Sequence, residues 1–184
     1  SDAAGGATGS NTLRLNCPAV TQTDYLSSQI STWGDAQEWG FFVGRRSQHF
    51  NDPNQMYIWL YANESTLNNA TVDGYRIAIG DNSGNDDIRL EYIVDGVLSS
   101  TVIASAGSFV NNLVDIGFLL RVTRSASGLW TVYTSTLPIA NATGAISTDI
   151  PNAANTSVNQ GSSINNTLVP AANGYLGLAA LHNS

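Results

Sequence analysis

A chain of 184 residues that is 42% hydrophobic can bury one sizeable core and is too short for two ordinary domains. Its net charge of −7 repels a phosphate backbone, and its basic residues, all arginines, are scattered at positions 14, 45, 46, 76, 89, 121 and 124, which argues against nucleic acid as a partner. The missing lysine closes Schiff-base catalysis, a P-loop and isopeptide cross-linking, and no apolar run reaches the roughly 20 residues of a membrane-spanning helix.

In chain order, the opening "SDAAGGATGS" has no initiator methionine and reads as a processed end, which favours export to the cell surface or beyond. Residues 1–10 offer the core almost nothing and are expected to be a flexible or partner-bound tail. "TLRLN" at 12–16 is the first strand candidate; Cys17, the single cysteine, can form no intrachain disulfide and reads as a buried thiol. "TDYLSSQIS" at 23–31 is the one stretch that approaches a helical period, and it is short. "EWGFFVG" at 38–44 and "MYIWLYA" at 56–62 read as strands, the latter apolar on both faces, as in a strand covered on both sides.

"DGYRIAIG" sets Tyr75, Ile77 and Ile79 on one face against Arg76 and Ala78. "DDIRLEYIV" aligns Ile88, Leu90, Tyr92 and Val94 against Arg89 and Glu91. After "LSSTVIA" at 98–104, residues 117–135 form a hairpin. Phe118, Leu120 and Val122 point inward, Leu119, Arg121 and Thr123 outward, "SASG" turns, and Trp130 and Val132 return inward as core. Arg121 and Arg124 fall on opposite faces and make no common patch. Residues 138–170, rich in Asn, Ser and Thr, read as a long loop suited to binding, edge-covering or contact with a neighbour. "GYLGLAAL" at 174–181 closes the chain as a strand. So many strands in one domain predict an all-β fold, a two-sheet antiparallel sandwich spanning 1–184, because a single open sheet would leave an apolar face wet.

"YIWLYA", "DGYRIAIG", "IRLEYIVDG", "LLRVTRSASGLWTVYTS" and "GYLGLAALH" together resemble the concanavalin A-like, laminin-G-type jelly roll of large secreted surface proteins of gliding and biofilm-forming bacteria, over roughly residues 37–182. The resemblance implies two curved sheets. Such folds serve lectins, adhesins, spacers and glycanases alike, so function has to come from a site.

A retaining glycanase needs two carboxyls about 5 Å apart, yet Glu38, Glu64 and Glu91 have no second acid two or four residues further along a strand. His49 and His182 have no motif partner. We therefore expect no enzyme, with a glycoside hydrolase as the third reading. "DNSGNDD" spaces Asp81, Ser83, Asn85 and Asp87 as a weak Ca²⁺ loop would. A polar turn whose side chains bond their own backbone gives the same pattern, so no cofactor and no strong Ca²⁺ site are expected. Tyr57, Trp59 and Tyr61 alternate along one strand face, where a row of aromatic rings could stack on sugars; burial under a loop or a neighbour is the plainer reading. Arg45 and Arg46 could reach an acidic glycan. The leading expectation is a non-catalytic, secreted structural or adhesive surface module. It would self-associate as a homo-oligomer or polymer through the tail and the long loop, as a subunit of a fibre, sheath or coat. A lectin-like carbohydrate-binding module is the alternative.

Overall fold

The computed structural model describes residues 22–31, 33–45, 55–80, 87–105, 116–136, 139–140 and 151–182. Among them lie eleven strands and no helix: β1 (Gln22–Gln29), β2 (Gln37–Arg45), β3 (Gln55–Ala62), β4 (Gly74–Ile79), β5 (Ile88–Val94), β6 (Val97–Ala104), β7 (Ile116–Arg124), β8 (Leu129–Thr134), β9 (Ile139–Ala140), β10 (Val158–Ile164) and β11 (Tyr175–His182). They form two antiparallel sheets packed as a sandwich. One has six strands in the order β1-β11-β3-β4-β5-β6; the other has five, ordered β10-β8-β7-β2 with β9 paired to β7.

The alternation read from the sequence is what fills the space between the sheets. Ile58, Leu60, Tyr75, Ile77, Ile79, Ile88, Leu90, Tyr92 and Ile103 from the larger sheet meet Trp39, Val43, Phe118, Leu120, Val122, Trp130 and Val132 from the smaller. Each large side chain withdrawn from water in this way contributes about 1.5–3 kcal/mol. At the β5–β6 hairpin, Asp95 (φ 49°) and Gly96 (φ 71°) both lie in the left-handed region, as a two-residue Asp-Gly turn requires. At the sandwich's other flank β10 lies over β6, and Gly161 permits it, since a Cβ there would come within 2.6 Å of Ile103 Cγ2.

Both sheets also carry cover on their outer faces. The β3–β4 connection, residues 63–73, lays Leu67 and Val72 over Trp59, Ala62, Ile93 and Ala179. It is pinned by Glu64, which accepts from Asn69 Nδ2 at 2.6 Å and Thr71 Oγ1 at 2.7 Å, and by Asp73, which accepts from the Asp95 amide at 2.8 Å. On the smaller sheet Pro151 sits on Gly40, and buried Thr156 accepts from Arg121 Nε at 2.8 Å.

Three expectations change. Residues 22–29 form β1, an edge strand among the described residues, whose weak helical period is overridden by eight consecutive pairings with β11. The stretch 138–170 is not one loop: β9 pairs with β7, and β10 pairs with β8 from Val158 to Ile164 despite its polar composition. Polar side chains suffice there because β10 is an edge strand, half-buried at most. Third, a bulge between Trp59 and Tyr61 places Tyr61 opposite Tyr75. Cross-strand partners share a face, so Tyr61 turns to the inner side and leaves the row begun by Tyr57 and Trp59. The candidate strand at 12–16, Cys17 and the tail 1–10 lie outside the described residues.

Candidate functional site

Trp59 is 1% exposed beneath Leu67 and Val72, and Tyr61 is 5% exposed with its ring 5.1 Å from that of Trp33. Neither offers a free ring face, so the three-aromatic row does not exist as a surface. Tyr57 remains half-buried on the outer face, its hydroxyl donating to Gln55 Oε1 and its ring under the Arg76 guanidinium at 3.8 Å. Burial pushes its hydroxyl pKa up, only partly opposed by the Arg76 charge. Arg45 lies at the end of β2 opposite Ile116; its side chain, like all of Arg46, falls outside the described residues. So do Asp81, Ser83 and Asn85. Asp87 is described, its carbonyl accepting from the Gly80 amide at 3.2 Å.

The outer face of the larger sheet carries a closed polar cluster. Glu91, 3% exposed, accepts from Arg76 Nε at 2.9 Å and from Arg89 Nε at 3.1 Å, and Arg89 Nη2 donates to the Gly80 carbonyl at 2.8 Å. Both carboxylate oxygens are occupied by guanidinium groups, which suits a structural ion network rather than an acid waiting for substrate.

A different arrangement appears at one end of the sandwich. There the β1–β2 connection, the end of β7, the β7–β8 turn and the β10–β11 connection frame a cleft of about 420 Å³ lined by Trp33, Asp35, Arg124, Asn166, Val169 and Pro170, among others. Arg124 faces inward because it pairs with core Trp130. It is 4% exposed, and no carboxylate partners it among the described residues. Its Nη2 donates to Asn166 Oδ1 at 3.1 Å, and Nη1 makes only long contacts, 3.4 Å to the Asp35 carbonyl and 3.5 Å to that of Ser125.

Among the described residues three buried side-chain N–H groups lack an acceptor, Trp33 Nε1, Trp59 Nε1 and Arg124 Nε. Trp33 and Arg124 both line the cleft. Behind it an aromatic chain runs into the core. Trp33 meets Trp39 at 5.7 Å, Trp39 stacks on Trp130 at 5.6 Å, and Trp130 touches Tyr75 at 4.6 Å. The Tyr75 hydroxyl, 2.7 Å from Asn165 Oδ1 and 3.1 Å from the Leu168 carbonyl, ties down the β10–β11 connection that forms one cleft wall.

The sequence reading missed this site because its residues come from three separated segments. One signal was present: the phase that sends Phe118, Leu120 and Val122 inward sends Arg124 inward too. The chain matches no known protein-family model and no curated protein.

Proposed function

We propose that the chain is a non-catalytic structural or adhesive surface module that self-associates edge to edge. The observation that carries this reading is β1. It is a free sheet edge among the described residues, eight residues long, paired without interruption to β11, with Asp24 as its one charge and with Tyr25 39% and Leu26 51% exposed. Long, uninterrupted edges with little charge are templates for another strand, and proteins that stay monomeric blunt them with lysines, prolines or bulges. The opposite edge, β6, is interrupted by two register shifts against β5; β1 has no such device. Antiparallel pairing of two β1 strands about a two-fold axis joins two six-stranded sheets into one, and this isologous pair is the building unit. A fibre, sheath or coat needs a second contact, for which the tail 1–10 and the stretch between β9 and β10 are the expected elements. The resemblance to secreted surface jelly rolls supports an extracellular location. The lectin-like alternative, as built on Tyr57, Trp59 and Tyr61, loses support from the burial of Trp59 and Tyr61.

Sedimentation equilibrium tests the reading. The wild type is expected to be a dimer or larger, and the double variant Tyr25→Lys/Leu26→Lys a folded monomer, since both side chains already stand in solvent. A wild type that stays monomeric at the highest attainable concentration would sink the proposal, as would an unchanged oligomer in the double variant.

A further inference from the structure

We infer that the cleft at the end of the sandwich is a binding site for a small hydroxylated monocarboxylate, of the class of a uronic acid residue. The inference is independent of self-association through β1, because no residue of that strand lines the cleft. Its basis is the buried guanidinium of Arg124, which among the described residues has no carboxylate partner and whose Nε–H lacks an acceptor, beside the Trp33 Nε1–H, equally unpaired among those residues. A buried charge without a counter-charge is costly, and a guanidinium fork is complementary to a carboxylate in two parallel hydrogen bonds.

The remaining walls narrow the class. Asp35, exposed on the cleft wall, makes no ion pair with Arg124 among the described residues. Its carboxylate disfavours a dianion such as phosphate and offers an acceptor to hydroxyl groups. Asn166, on the rim and already bonded to Arg124, can exchange that bond for one to ligand. Trp33, Val169 and Pro170 give an apolar side to receive C–H groups. One carboxylate, several hydroxyls and an apolar ring face are the features of a uronate. A volume near 420 Å³ lies in the range of small-ligand pockets.

The test titrates the intact chain with glucuronate, glucose and acetate, reading tryptophan fluorescence and thermal stability. Glucuronate should give a saturable change and raise Tm, because it binds only the folded state. Glucose should bind roughly ten- to a hundredfold more weakly for want of the charge-assisted bonds, and acetate should also be weaker for want of the hydroxyl and ring contacts. Arg124→Gln should abolish the glucuronate response. Should that variant fail to fold, Asp35→Ala, a change at an exposed side chain, should weaken glucuronate several-fold while leaving acetate no weaker than before. Equal responses to glucuronate and glucose would overturn the role of the guanidinium, and equal responses to glucuronate and acetate would overturn the sugar class. Silence with all three would overturn the site.

Discussion

Arg76 and Arg89 on the outer face of the larger sheet, and Arg124 at the end of the smaller one, are all largely withdrawn from water, yet their surroundings differ in kind. The first two share Glu91 at 2.9 and 3.1 Å, and Arg76 also lies over the Tyr57 ring. Arg124 has carbonyls, an amide oxygen and the Trp130 face at 5.7 Å, but no carboxylate among the described residues. In the first region each charge is answered inside the fold, so removing a member leaves its partners stranded. In the second the fold carries an unanswered charge at the wall of a cleft, and a ligand is the natural source of the missing counter-charge. A buried cation therefore says little about function until its partners are counted.

The sharpest way to break the comparison is Glu91→Gln. It keeps the shape of the side chain and removes the charge that two guanidinium groups share; deleting one member of a fully buried pair costs about 3–5 kcal/mol, and about 2–4 kcal/mol is expected here in urea unfolding. The discount for Arg76 and Arg89, whose side chains are 18% and 16% exposed, places the expectation toward the lower end. A loss below about 0.5 kcal/mol would mean that the network is solvated in practice and that the two regions do not differ as argued.

What the sequence disclosed and what it hid follow the same division. The sheets were legible because period-two alternation is a local signal: Tyr75, Ile77 and Ile79 on one strand and Phe118, Leu120 and Val122 on another read as core residue by residue, and they meet between the sheets. Tyr61 did not, because the bulge that turns it inward follows from pairing with β4 and β11, and such pairing leaves no mark in "MYIWLYA" itself. β10 was hidden by its composition. "VNQGSSI" earns its place from β8 on one side and the close approach of Ile103 on the other, not from its own propensity. The cleft was least legible, since Trp33, Arg124 and Asn166 converge only after both sheets are formed.

A second probe sharpens the contrast at the aromatic wall. Tyr75→Phe removes the hydroxyl that holds Asn165 and Leu168 and should cost about 1–2 kcal/mol, with the β10–β11 connection losing hydrogen-exchange protection before the rest of the sheet. It also carries a pH signature. Burial raises the hydroxyl pKa of Tyr75, and burial likewise raises those of Tyr57 and Tyr92. A folded-state value above the unfolded one, near 10, means that the native protein holds these protons more tightly. Their contribution is whole below about pH 10 and is lost as pH climbs through the folded values. Urea midpoints should thus be flat from pH 7 to 9 and fall above 10, less steeply for Tyr75→Phe than for the wild type. An identical alkaline slope in the two proteins would show that Tyr75 ionises as freely folded as unfolded.

The smallest expected effect has the opposite sign to the first. Arg124→Met replaces an unanswered charge with an apolar chain of similar length among Trp33, Trp130 and Pro170. It gives up three modest hydrogen bonds and a cation–π contact while ending the cost of holding a guanidinium out of water without a carboxylate. Exchanges of this kind at buried ionic positions are neutral to stabilising, and positions shaped for binding are where stability is typically given up. The ligand-free variant should therefore be unchanged or more stable, by up to about 1 kcal/mol, in a protein that loses stability when Glu91 is changed. Thermal and urea unfolding of the two variants side by side provide the measurement. If Arg124→Met were as damaging as Glu91→Gln, Arg124 would be another answered charge, satisfied by Asp35, Ser125 and Asn166 alone, and the cleft would lose the feature that marks it as a site.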